Sequence, residues 1–216
     1  MKNLKFPLFA MTLGMLLFSF SKSNSVSADE LKIGKKAPKT DVVMENVDKS
    51  THTLDKLKQE NGLLVVFSCN TCPFVVGNEN FPGWERQYNA IYQKASEAKI
   101  GMVLINSNEG KRADEDSFEA MQKHAAEKGY KMPYLLDKNS DLANAFGAKT
   151  TPHVYLLDKD MKLIYQGSID NTWDPKRKSD IPYLSDALSN VSAGKNVQEN
   201  TTSPKGCSIK RVAIQK

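Results

Sequence analysis

Leu63-Leu64-Val65-Val66-Phe67 is an unbroken apolar run, opened by Gly62 and followed after Ser68 by Cys69-Asn70-Thr71-Cys72. A run without alternation suits a strand covered on both faces, as in a parallel sheet between helices. Met102-Val103-Leu104-Ile105 and Val154-Tyr155-Leu156-Leu157 have the same character. Between them the period lengthens. Trp84, Tyr88, Ile91, Tyr92 and Ala95 fall on one helix face. Pro82 suits the first turn of that helix and separates it from a shorter one starting near Pro73. Phe118, Met121 and Ala125 mark another helix, begun among Asp114 and Asp116 and stopped at Gly129. Residues 140–146 predict a short helix ended by Gly147, and residues 183–191 a last amphipathic one. Residues 41–47 read as a short strand, and residues 157–165 as strand, polar turn, strand. This order implies an α/β fold with a central mixed β-sheet flanked by helices on both faces.

The chain start carries a different pattern. Lys2 and Lys5 precede a mostly apolar stretch over residues 6–20, then a polar one ending with Val26 and Ala28 at the −3 and −1 positions of a small-residue cleavage site. A bilayer-spanning helix needs roughly twenty apolar residues. The pattern therefore predicts a cleavable signal peptide over 1–28, a secreted or periplasmic protein, and no stable membrane insertion after cleavage. One α/β domain would cover 29–194, and a polar C-terminal tail carrying Cys207 would cover 195–216. The leader holds three lysines and no acid, so removing it lowers the formal charge from +5 to +2. With no Lys/Arg cluster interleaved with aromatics, nothing points to nucleic acid.

The chain has three cysteines, too few for a stapled scaffold and one more than a pair. Cys69 follows a buried strand and a helix opens near Pro73, where unpaired N–H groups and the macrodipole favour a thiolate. In this reading Cys69 is the exposed nucleophile and Cys72, a turn deeper, resolves the mixed disulfide. Half of a zinc site and a structural disulfide are the alternatives; zinc needs two more ligands, and no second Cys pair or H-x-x-x-H is present. Thr151-Pro152 opens an apolar strand, where a proline cannot donate to the ladder. It makes sense there as a cis-proline facing a site, or as an ordinary trans proline at a strand start.

With these features placed, the chain resembles the thioredoxin superfamily, and within it exported redoxin-type or peroxiredoxin-like members. The resemblance rests on Gly34…Ala37-Pro38, strand-Cys69-x-x-Cys72-helix, Thr151-Pro152-His153-Val154, Gly167-Ser168-Ile169-Asp170 and Gly206-Cys207-Ser208-Ile209-Lys210. It implies catalytic Cys69 and Cys72, a cis-Pro152 packed against them, a Thr151 backbone that pairs with an extended substrate segment, and Gly167 lining that groove. No organic cofactor is implied. The implied partners are protein thiols or disulfides and an unidentified redox partner. Val66 stands where thioredoxin keeps a buried Asp. A peroxiredoxin would need a Thr or Ser three residues before its attacking Cys, and for Cys69 that position is again Val66.

Cys207 has three readings: a candidate relay thiol exchanging with Cys69–Cys72, a third soft ligand for copper(I), or a free thiol on a mobile tail. His153 could approach the motif as a ligand or proton carrier, or be a hydrogen-bonded core histidine. The reading that gathers most of these features is an extracytoplasmic thiol–disulfide oxidoreductase. A thiol peroxidase and a copper-handling protein are its alternatives.

Overall fold

The computed structural model describes residues 29–212 together with Met1. The expected leader otherwise lies outside the described residues, as do residues 213–216. β1 (Met44–Asn46) and β2 (Thr51–His52) form a small hairpin before α1 (Leu54–Leu57). β3 (Gly62–Ser68) then leads through the cysteine loop into α2 (Pro73–Val76). α3 (Tyr88–Glu97), β4 (Ile100–Asn106), α4 (Phe118–Lys128), β5 (Tyr134–Leu136) and α5 (Asp141–Phe146) follow. β6 (Thr150–Thr151), β7 (His153–Leu157), β8 (Leu163–Gly167), α6 (Tyr183–Ser192) and β9 (Cys207–Ser208) complete the chain.

The three apolar runs form the centre of a seven-stranded sheet ordered β2-β1-β5-β4-β3-β7-β8. β3 runs parallel to β4 and antiparallel to β7, so the sheet is mixed. Every residue of β3 and β4 is buried, and alternation splits them between two cores. Leu64, Val66, Met102 and Leu104 join Tyr88 and Ala95 of α3, Met121 of α4 and Leu184 and Leu188 of α6. Leu63, Val65, Phe67, Val103 and Ile105 join Leu54 of α1 and Leu142 and Phe146 of α5. Each fully buried Leu, Ile or Phe contributes roughly 1.5–3 kcal/mol. The side chains that hold the helices on thus also leave neither face of β3 and β4 open.

Boundaries differ from the pattern in three places. The face beginning at Trp84 starts as a 3-10 turn, Glu85–Gln87, before α3 proper. The strand expected over 41–47 shrinks to β1, because Val42 and Val43 are exposed. Ser117 caps α4, its hydroxyl accepting the Ala120 N–H at 3.2 Å, while Asp116 before it turns to Asn70, Asn106 and Asn108 instead.

The described part of the polar tail lies across the domain. Gln166 N–H donates to Asn200 O and Thr202 N–H to Gln166 O, both at 3.0 Å. Further on, β9 pairs antiparallel with β6, setting Cys207 opposite Thr151. Ile209 is buried among the side chains of the α1/α5 face.

Candidate functional site

Ser68, the last residue of β3, is buried with its hydroxyl 3.0 Å from that of Tyr88. Cys69 follows, 1% exposed, and the chain turns through Asn70-Thr71 to Cys72. Pro73 decides what comes next. Its φ is already helical and it has no N–H to leave unpaired, so it takes the first helical position and Cys72 becomes the N-cap of α2. The spacing alone put Cys72 a turn deeper than Cys69; the helix in fact begins after both. α2 is four residues long, so few peptide dipoles align behind it.

Individual donors address the Cys72 sulfur instead. The Cys207 N–H points at it from 3.3 Å, and the Cys69 thiol and the Phe74 N–H add to this. In its thiol form Cys72 donates to the Thr151 carbonyl at 3.0 Å. The Cys69 thiol, then the Cys207 and Phe74 donors, outweigh burial and bring the Cys72 thiol down to about 5. Cys69 moves the other way: its bond to Cys72 and its burial hold the thiol well above the usual range. Cys207 is pushed up to about 11, by burial and then by Cys72 beside it. All three cysteines are free.

Thr151 joins the sulfurs. Its hydroxyl lies 3.1 Å from Cys69 Sγ, and the Thr151-Pro152 peptide is cis. The strand position beside Thr151 is filled by Cys207. Gly167, at φ 137°, does not face an open groove: a Cβ there would stand 2.1 Å from Thr202 Oγ1. His153 lies away from the sulfurs, fully buried, with Nδ1 accepting the Lys149 N–H at 3.3 Å and its ring 4.6 Å from that of Tyr155. Burial pushes its imidazole down to about 3. Among the described residues no group of three or more His, Cys, Asp or Glu is placed to hold a metal ion.

Asp116 is the site residue the sequence pattern does not reveal, since an acid before an amphipathic stretch looks like a helix start. It is fully buried, and Oδ1 accepts the Asn70 N–H at 2.9 Å and Asn106 Nδ2 at 2.7 Å. Oδ2 accepts Asn108 Nδ2 at 2.9 Å. The Tyr134 hydroxyl donates to Asn70 Oδ1 at 2.9 Å. Asn70 is therefore held at its backbone and its side chain, and the cysteine loop is fixed from both sides. Asp116→Ala leaves three donors without their acceptor. It is expected to destabilise the fold by about 3 kcal/mol in urea unfolding; a change under ~0.5 kcal/mol would show that the network is not needed.

A sequence model of Redoxin matches residues 32–188. The chain belongs to the Redoxin family. No curated protein matches it. Among solved structures, an uncharacterized conserved protein from Geobacillus kaustophilus is 30% identical over 87% of this chain and 96% of its own, with a TM-score of 0.75. A hypothetical protein from Sinorhizobium meliloti 1021 is also 30% identical, over 86% of this chain and 97% of its own, with a TM-score of 0.73. The peroxidoxin BcpB from Mycobacterium tuberculosis is 16% identical over 76% of this chain and 98% of its own, at a TM-score of 0.55, a likeness of fold alone. The redoxin domain here is the thioredoxin-like α/β fold expected from the strand–cysteine–helix order and Thr151-Pro152. Among the described residues no helix is long and apolar enough to cross a membrane.

Proposed function

We propose that the chain is an extracytoplasmic thiol–disulfide oxidoreductase acting on protein disulfides through Cys69 and Cys72. The observation that carries this is the Cys72 sulfur, held among hydrogen-bond donors between the Cys69 thiol and the Cys207 N–H. The thiolate is the attacking species in exchange. Donors reach both sulfurs, the Cys207 and Phe74 N–H groups at Cys72 and the Cys72 N–H and Thr151 hydroxyl at Cys69. The deeper burial of Cys69, together with the bond between the two thiols, tips the pair toward a Cys72 thiolate. Cys72 therefore attacks. It displaces one substrate sulfur and forms a mixed disulfide; a neighbouring thiol then displaces the other.

Export rests on the leader pattern and suits the chemistry, because disulfides persist in oxidising compartments. The test is reduction of insulin disulfides by the purified protein with dithiothreitol and a chelator present, run beside hydrogen peroxide consumption. Exchange without peroxide turnover supports the reading; peroxide turnover alone would replace it with a peroxidase. A peroxidase attacking through Cys72 would have Cys69, not a hydroxyl residue, three positions earlier.

The sign of the pH dependence follows from the lowered Cys72 thiol. The thiolate is present above about 5 and is lost as pH falls through it. Ultraviolet absorbance of the reduced protein is expected to show one thiolate titrating there, missing in Cys72→Ser. A first thiolate appearing only near the ordinary value of about 8.5 would contradict the arrangement.

A further inference from the structure

The resemblance to thioredoxin implies that the Thr151 backbone, before the cis-proline, is the edge on which an extended substrate would pair. Here that edge is taken by the chain itself. β9 pairs antiparallel with β6, with Cys207 directly opposite Thr151, and the Cys207 N–H lies 3.3 Å from Cys72 Sγ. The segment is fastened on both sides of this point. Before it, the Ser168 N–H donates to Thr202 Oγ1 at 2.9 Å, the Lys205 N–H to Ser168 Oγ at 3.2 Å, and the Lys205 ammonium sits 4.5 Å over the Trp173 ring. After it, the Ile209 N–H donates to Lys149 O at 3.1 Å and the Lys210 N–H to Asn108 Oδ1 at 2.9 Å.

Two glycines admit the segment. A Cβ on Gly206 would stand 2.2 Å from the Thr151 carbonyl oxygen, and one on Gly167 would collide with Thr202. No side chain fits at either place without moving the strand. The polar tail is thus seated by backbone pairing, and the residue it presents to Cys72 is a cysteine.

We propose that residues 206–209 are a built-in substrate strand and that Cys207 is the chain's own exchange partner, forming a disulfide with Cys72. The proposal rests on the oxidoreductase reading and names the bond it passes through. Once a substrate disulfide has oxidised the motif, the Cys207 thiolate attacks Cys72 Sγ of the Cys69–Cys72 bond. The Cys72–Cys207 bond forms, the Cys69 sulfur leaves, and the proton given up by Cys207 is matched by one taken up at Cys69. No electrons are gained or lost in this step. Its effect is to move the disulfide from two buried sulfurs to one that includes the half-buried Cys207.

The test oxidises the reduced full chain with one equivalent of oxidised glutathione, quenches in acid, alkylates free thiols and maps tryptic peptides. Cys69 and Cys72 share one tryptic peptide and Cys207 lies in another, so a Cys207 bond appears as a cross-link. The cross-link is expected in wild type and Cys69→Ser and absent in Cys72→Ser. Gly206→Ala, which keeps every thiol but cannot seat the strand, is expected to slow it at least tenfold while Cys69–Cys72 still forms. Cys207 left alkylated in oxidised wild type, or cross-linked in Cys72→Ser, would overturn the proposal. A wild type that reduces insulin without the cross-link sinks the inference and keeps the oxidoreductase; a cross-link without insulin turnover does the reverse.

Discussion

Cys72→Ser is expected to lower insulin-disulfide reduction by about a thousandfold or more, the scale on which removal of an attacking group acts. Cys69→Ser is expected to keep the first step and slow release of substrate. The reason is geometric. Each sulfur has a backbone N–H at 3.3 Å, from Cys207 at Cys72 and from Cys72 at Cys69. Cys72 has the Phe74 N–H besides, whereas Cys69 is more deeply packed and its thiol is held protonated. Mass spectrometry of each variant with a disulfide substrate checks the order. A mixed disulfide on Cys69 in the Cys72→Ser protein, at wild-type rate, would reverse the assignment.

Trp84→Ala is expected to have the largest effect on stability, about 4 kcal/mol, as for other buried Trp truncations. For a chain of this size that is a fall in Tm of roughly 8–16 °C. Trp84 is fully buried, 5.0 Å edge-on to Phe81 and stacked at 6.2 Å on Phe74. Its indole N–H donates to Asp170 Oδ1 at 2.7 Å, and its backbone N–H to Phe74 O at 3.1 Å. Phe74 belongs to α2, so the lost packing lies directly under the turn that places Cys72. Thermal unfolding gives the first number, and the thiolate titration of Cys72 reports whether the site follows. Trp84→Phe, keeping most of the packing but not the donor, should lose about 1 kcal/mol. A Trp84→Ala protein within 1 kcal/mol of wild type would show the cluster is not cooperative with the fold.

The parts of this fold that are legible in the sequence are those with local causes. β3, β4 and β7 announce themselves because a strand covered on both faces has no polar positions. α3, α4 and α6 do so because one stripe of each must be apolar. What escaped has distant causes. β5 is three residues long, Tyr134–Leu136, and is a strand only because β4 and β1 flank it. Asp116 reads as a helix-start acid until Asn70, Asn106 and Asn108 are seen to converge on it. The tail is legible only as a polar segment with a candidate relay thiol, because its attachment is largely through backbone groups and those leave no mark in composition. The cysteine loop lies between the two cases. Spacing found the pair but put Cys72 a turn deeper; Pro73 in the first helical position makes it the cap instead.

The seating of Gly206 and Cys207 against Thr151 also bears on which dissolved thiols this centre would heed. A thiol joined to its target by the same chain acts at an effective concentration of about millimolar or above, and a docked strand exceeds a loose one. Small thiols in the surroundings compete with it only when they are comparably abundant. With Cys207 as the partner of Cys72, the centre would be buffered from the ambient thiol pool. Its traffic would be set by how often the strand lifts to admit another protein.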